Sequence, residues 1–326
     1  MDIMTGQATP SQISAFLIGL KKKGETVDEI TAIARVMRTF GRTVSPKVDG
    51  FLLDTCGTGG DRTKTFNVST TAAFVIAAAG VRVAKHGNRS FTSRCGSADL
   101  LEQFGVKLDM EPGVVERSIE EIGIGFMFAP NYHPAMKNVA SIRREIGVRT
   151  VFNILGPLTN PAGANAQIIG VYDPELLEPM CTAAHNLGAK SVMTVHGLDG
   201  VDEISLTGRT VLVSQVNGRT VREEISPADL GLSETTPKKI VAGGEPEENA
   251  RITARILSGH LEKDDPRVQI VAANAAAGLF LCEEAADMKA GVELALNAIK
   301  DGKGLSILRQ LIQLSGGNTQ HLETMF

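Results

Sequence analysis

Four cysteines occur among 326 residues, Cys56, Cys95, Cys181 and Cys282, and none stands in a Cys-x-x-Cys pair. This argues against a disulfide framework and against a structural zinc site, and it fits a reducing compartment. No stretch approaches the roughly 20 apolar residues of a membrane span. The N-terminus has no basic segment leading into an apolar core, so the cytoplasm is the expected location. Basic excess is missing too: 33 Lys and Arg stand against 37 Asp and Glu, a net charge of -4. A nucleic-acid footprint needs clustered cations, so neither nucleic acid nor membrane is expected as a partner. There is no repeat, no low-complexity segment, no Walker loop and no Gly-x-Gly-x-x-Gly. The histidines His133, His185, His196 and His260 lack metal-ligand spacing.

What is present is a 43% hydrophobic chain, long enough for one large domain or two unequal ones. The first forty residues read as helices. Thr9-Pro10 suits an N-cap followed by proline, and Ile13, Phe16, Leu17 and Leu20 recur at helical spacing. Thr26 and Glu29 have the spacing of a capping box. From Phe51 the pattern becomes strand, loop, helix. Strands are expected at 51–53, 81–84, 125–128, 167–172 and 191–196, and extended chain from 203 to 225. Helices are expected from about 67–69 to 79, then at 97–104, 114–121, 136–146, 174–187, 266–281 and 290–299. Residues 227–247 read as an irregular connection. This alternation predicts an α/β sheet covered on both faces.

In such sheets ligands sit beyond the carboxyl ends of the strands. Three polar loops follow expected strands, Gly57 to Asp61, Lys85 to Ser90 and His196 to Glu203. They are therefore predicted to share one rim. Gly57-Thr58-Gly59-Gly60-Asp61 can turn its N–H groups toward phosphate oxygens. Asn67-Val68-Ser69-Thr70-Thr71 opens an apolar helix with three hydroxyls, a natural anion site or simply a cap. Lys85-His86-Gly87-Asn88-Arg89 gathers two fixed cations around one glycine, with Lys85 as a point charge and Arg89 able to grip phosphate in a fork. Asp202-Glu203 offers hard oxygens of the kind Mg²⁺ takes together with substrate phosphates, or is a solvated acidic pair. Cys56 and Cys95 lie within these loops, and no Ser-His-Asp arrangement is readable.

Taken in order, these segments resemble the anthranilate phosphoribosyltransferase family over nearly the whole chain. The resemblance also includes Gly96-Ser97-Ala98-Asp99, His133-Pro134-Ala135-Met136-Lys137, Arg143-Arg144-Glu145, Phe152 to Pro161 and His196-Gly197. It implies a small all-helical domain and a larger α/β domain with a central, mostly parallel sheet flanked by helices. The helical domain would span 1–47, completed by helices from about 134–150. The α/β domain would take 48–133 and 151–326. The implied reaction is Mg²⁺-dependent transfer of the 5-phosphoribosyl group from 5-phosphoribosyl-1-diphosphate to anthranilate, in tryptophan biosynthesis.

By the same resemblance Gly57, Gly60, Asp61, Thr65, Asn67, Ser69, Thr70, Lys85 and Ser97 would hold the phosphoribosyl donor. Gly57, His86, Asn88, His133, Arg143, Gly156 and Pro157 would hold anthranilate, with Arg143 facing its carboxylate and Arg144 and Arg149 not counted among its contacts. Ser69, Asp202 and Glu203 would engage two Mg²⁺ ions. No discrete acid, base or nucleophile is implied. A homodimer through the helical domain is implied as well, although family members begin with one more helix before the segment matching Met4 to Thr9. Arg94-Cys95 departs from the pattern, and Cys95 introduces an expected sensitivity to oxidation. A pyrimidine nucleoside phosphorylase would carry Lys-His-Ser where this chain has Asp54-Thr55-Cys56. A transferase with another aromatic amine acceptor and a non-catalytic nucleic-acid-binding relative are the remaining rivals.

Overall fold

A computed structural model describes residues 1–59, 65–90, 94–240 and 244–326. The chain starts with α1 (Asp2–Thr5), α2 (Pro10–Lys23) and α3 (Val27–Thr39). Both longer helices begin in the expected way. Gln12 N donates to Thr9 Oγ1 and Thr9 N to Gln12 Oε1; Thr26 and Glu29 repeat the exchange. Each box satisfies two of the donors that a helix start leaves unpaired. Ile13, Leu17 and Leu20 form one buried stripe, and Ile30, Ala34 and Met37 the other.

The chain then alternates as β1 (Leu52–Gly57), α4 (Val68–Ala78), β2 (Arg82–Gly87), α5 (Ser97–Gln103), α6 (Pro112–Ile122) and β3 (Ile124–Phe128). Next come α7 (Ala129–Tyr132), α8 (Lys137–Ile146), β4 (Ala166–Gly170), α9 (Leu177–Asn186) and β5 (Ser191–Gly197). A hairpin of β6 (Thr210–Val216) and β7 (Arg219–Ile225) follows, turning at Asn217-Gly218 with both residues at positive φ. The chain closes with α10 (Pro237–Ile240), α11 (Pro246–Leu257), α12 (Pro266–Leu281), α13 (Met288–Lys300), α14 (Lys303–Leu314) and α15 (Gln320–Glu323).

Among the described residues the strands make one sheet in the order β3-β2-β1-β4-β5-β6-β7. The first five are mutually parallel, and β6 and β7 are added antiparallel. The sheet is therefore mostly parallel, as expected. Strand order reverses between β1 and β4, which opens a crevice at their carboxyl ends. The helices α4 and α12 are apolar around most of their circumference and are buried between the sheet and the outer helices. On the other side α1, α2, α3 and α8 share a core with α9 and the β4–β5 face, in which Met4, Ile13 and Leu17 pack with Val139 and Ile142. No helix of the described residues is long and apolar enough to cross a membrane.

The sequence reading did not expect α14 or the body of α11, and three further details differ from it. The segment 227–247 is not uniformly irregular, since it holds short turns of helix and the start of α11. Residues 203–209 bend rather than extend, and strand resumes only at Thr210. Asn67 stands at the N-cap of α4 but makes no side-chain cap; its amide instead donates to Cys95 O at 3.1 Å.

One buried polar residue in α12 bears on the rim. Asn274 is 3% exposed. Its Oδ1 accepts from Ile204 N at 2.9 Å, and its Nδ2 donates to Ile204 O at 3.0 Å and Ile270 O at 2.9 Å. Ile204 directly follows Glu203, so this amide anchors the acidic pair to a rigid helix. Asn274→Ala strands two buried backbone groups, each of which costs about 1–3 kcal/mol when unpaired. Urea unfolding should show a loss on the order of 2–4 kcal/mol.

Candidate active site

The crevice at the strand reversal is a cleft of about 670 Å³. The carboxyl end of β1 supplies its floor. Gly57 and Gly170, paired across β1 and β4, let the 202–203 segment lie directly on the sheet. A Cβ on Gly170 would stand 1.8 Å from Asp202 O, and one on Gly57 would stand 2.8 Å from Asp202 Oδ2. Only glycine tolerates that approach. Thr58 N donates to Gly170 O at 2.8 Å, which folds the chain back over the strand end.

The acidic pair then ties two loops together. Asp202 Oδ2 accepts from Gly59 N at 3.2 Å, and Glu203 Oε1 accepts from Ser69 N at 3.2 Å. Glu203 thus does at the start of α4 what a cap side chain would do, and its charge suits the positive end of the helix. Ser69, Asp202 and Glu203 present only oxygen donors, the set a hard cation such as Mg²⁺ takes. Among the described residues no cluster of three or more His, Cys, Asp or Glu could hold a metal by itself.

Lys85 lies within β2, which runs on to Gly87 rather than stopping at 84, and it is almost fully buried and donates to Thr55 O at 2.5 Å. Burial lowers its pKa, while the neighbouring Asp54 charge opposes the shift. Asp54 shows the converse, raised by burial and lowered by Lys85. The next residue, His86, meets His133 edge-on with ring centroids 5.1 Å apart. Burial holds His86 at about 3, helped by His133, and His133 at about 4. Both rings are therefore neutral at pH 7. Arg143, from α8, stands 5.5 Å over the Phe152 ring, its pKa lowered by burial.

Of the residues expected to bind, Gly57, Thr65, Asn67, Ser69, Thr70, Lys85, His86, Asn88, Ser97, His133, Arg143, Gly156, Pro157, Asp202 and Glu203 all line this cleft. Gly60 and Asp61 lie outside the described residues. His196 is buried in β5, with Nδ1 2.7 Å from Val171 O, and takes no part. Arg89 borders the cleft, but its guanidinium is engaged by Asp99 and Glu102 and stacks on Phe128. The phosphate fork expected from its position in the loop is therefore already occupied by carboxylates. Arg149 also lines the cleft, 4.0 Å over the Tyr172 ring. Burial pushes the Cys95 thiol up to about 12 and the Cys56 thiol well above its ordinary value. Burial thus disfavours the reactive thiolate at both positions. Sequence reasoning missed Asn274, and an amide in the middle of the apolar run 270–281 was the signal available.

Residues 49–305 match the model of the glycosyl transferase family, a/b domain, and residues 1–41 match the helical bundle domain of that family. The anthranilate phosphoribosyltransferase of Symbiobacterium thermophilum is 51% identical over 309 residues, covering 95% of this chain and 89% of the relative. The chain belongs to the anthranilate phosphoribosyltransferase family. The crystal structure of an anthranilate phosphoribosyltransferase from Thermus thermophilus superposes with a TM-score of 0.90 at 43% identity, covering 97% of this chain and 93% of the other. The anthranilate phosphoribosyltransferase of Saccharomyces cerevisiae in complex with PRPP and Mg superposes at 0.86 with 31% identity, covering 94% and 85%. A small helical bundle joined to a larger α/β domain is thus common to the family models and to this fold.

The buried histidine pair sets a pH dependence. Both folded pKa values lie below the ordinary 6.5, so between about 4 and 6.5 the unfolded chain binds protons that the native state refuses. Their contribution to stability is complete above about 6.5 and is lost as pH falls, by about 1.4 kcal/mol per pH unit for each histidine. Urea unfolding at pH 7 and pH 5 should show this slope. In His133→Asn only the His86 share should remain.

Proposed function

We propose that the chain catalyses attack of the anthranilate amine on C1 of 5-phosphoribosyl-1-diphosphate, giving N-(5-phosphoribosyl)anthranilate and diphosphate, a step of tryptophan biosynthesis. The observation that carries this reading is the division of one cleft into two chemistries. One part gathers backbone donors, Lys85 and hard oxygens; the other gathers two neutral imidazoles, Arg143 and the Gly156-Pro157 turn. A doubly phosphorylated sugar suits the first, and an aromatic carboxylate suits the second.

Lys85, with the glycine turn at Gly57 and the hydroxyl-bearing start of α4, would hold the phosphates. Lys85 is a fixed charge where the leaving group gains negative charge, while the Thr58, Gly59 and Ser69 N–H groups, engaged by Gly170 O, Asp202 and Glu203, shape the wall around it. Gly60, Asp61, Thr65, Asn67, Thr70 and Ser97 complete the proposed donor site. Ser69, Asp202 and Glu203 would hold Mg²⁺, with two ions in our reading. Mg²⁺ supplies neutralisation of the diphosphate charge when bound. Arg143 would pair with the acceptor carboxylate, while Asn88, His86 and His133 orient the ring without adding charge.

The arylamine is neutral at pH 7, so the protein's main work is alignment and water exclusion. The C1–O bond breaks with its electron pair leaving on diphosphate, the amine nitrogen bonds to C1, and the nitrogen then loses a proton. We place the domain borders at 1–47 with 134–150, and at 48–133 with 151–326, because α8 packs its Val139 and Ile142 into the core of α1 and α2. A homodimer through the helical part and a cytoplasmic location complete the reading; neither nucleic acid nor membrane is a partner.

The test is loss of anthranilate fluorescence on adding 5-phosphoribosyl-1-diphosphate, first with Mg²⁺ and then with EDTA. The chain contains no tryptophan to interfere. Mg²⁺-dependent loss with equimolar diphosphate release is expected; its absence in folded protein would sink the reading. Arg143→Ala should raise the anthranilate KM on the order of tenfold to a hundredfold, the worth of a hydrogen bond to a charged group, and leave the donor KM nearly unchanged. Equal change in both constants would refute the carboxylate role.

A further inference from the structure

The Asn88–Ser90 segment that follows β2 is held in place by a carboxylate to which no role has been assigned. Asp99 stands in the first turn of α5. Its Oδ2 accepts from Gly96 N and from Ser90 N, each at 2.9 Å, and its Oδ1 accepts from Arg89 Nη1 at 3.0 Å. Three donors from two separate segments therefore converge on one side chain. Gly96 makes this convergence possible, since a Cβ there would stand 2.4 Å from Ser90 N and 2.6 Å from Asn88 O. The same junction is tied again by Ala98 N and Ser97 Oγ, which both donate to Asn88 O.

The neighbouring Glu102 grips Arg89 in a fork, 2.6 Å from Nη1 and 2.8 Å from Nη2. That pair is about half exposed on both sides, whereas the Asp99 side chain is 18% exposed. Solvent screens the outer pair far more than the inner one. The two acids are thus unequal. Glu102 only trims the direction of the Arg89 side chain, while Asp99 holds main-chain atoms on both sides of the junction.

We infer that Asp99 is a positioning residue for the phosphoribosyl donor. It touches no substrate, but it fixes Arg89, Ser90 and Gly96 so that Asn88, Ser90 and Ser97 keep their places beside Lys85 in the cleft wall. The inference rests on the transferase reading above. The charge matters as well as the shape. A carboxylate has lone pairs for all three donors, whereas the single carbonyl oxygen of an amide cannot serve both its Oδ1 and Oδ2 positions. Asp99→Asn therefore breaks the clasp at almost unchanged volume.

The experiment compares wild type, Asp99→Asn and Glu102→Gln. Steady-state kinetics are run with each substrate varied, alongside amide hydrogen exchange without substrates. Asp99→Asn should raise the KM for 5-phosphoribosyl-1-diphosphate about tenfold or more, as expected for loss of loop positioning, with the anthranilate KM within about twofold. The Ser90 and Gly96 amides should exchange faster while the sheet amides do not. Glu102→Gln should change both constants less than about threefold. An unchanged donor KM in Asp99→Asn overturns the inference, as does a parallel rise of both KM values with a lowered Tm, which marks a merely structural role. If wild type shows no turnover, the transferase reading fails by itself. Exchange then still decides, because unaltered Ser90 and Gly96 protection overturns the clasp.

Discussion

Asp202 and Glu203 hold the cleft together through the N–H groups of two loops that begin 143 and 134 residues earlier in the chain. The rest of the site depends on that pairing. It brings the glycine loop after β1 and the start of α4 onto one wall, and it stands on the Gly57–Gly170 floor. A carboxylate has about four lone-pair positions, so accepting an N–H does not prevent it from also taking part in the coordination of a cation. The same two side chains can therefore shape the loops and face a metal.

Burial sets the electrical character of the other wall. Lys85 and Asp54 are both withdrawn from water, which pushes each toward its neutral form, and their proximity opposes that push. The histidine pair has no acidic neighbour of comparable influence, so desolvation prevails and both rings stay uncharged. One end of the cleft thus carries a positive charge at low dielectric, where it acts most strongly on an anion. The adjacent end offers ring faces and imidazoles suited to an aromatic plane. Arg143 supplies the charge at that end from a helix belonging to the other core.

Support for these groups comes from further away. Asn274 reaches from α12 to the residue after Glu203, and Asp99 reaches from α5 to the loop after Lys85. In both cases a rigid helix holds a loop through polar bonds rather than through apolar contact. This suits a site whose own residues must remain available to a charged ligand.

The local chemistry was legible in the sequence. Thr9 with Gln12 and Thr26 with Glu29 set helix starts by contacts three residues apart, and apolar spacing marked the strands and the buried helices. The three polar loops could be assigned to one rim because parallel strands put their carboxyl ends on one side. What tertiary structure alone decided involves partners far apart in the chain. The guanidinium of Arg89 turned to Asp99 and Glu102, Glu203 rather than a hydroxyl capped α4, and Arg149 came to the cleft over Tyr172. The irregular look of residues 227–247 hid the start of α11 for a related reason: its glycines and prolines read as breaks, while the packing of α11 onto α4 and α5 held the helix that begins at Pro246. Sequence determines what happens within a turn or two, where the backbone itself sets the distance. A contact across 70 or 143 residues depends on which strands become neighbours, and burial acquires its sign for a lysine or a histidine only once those neighbours exclude water.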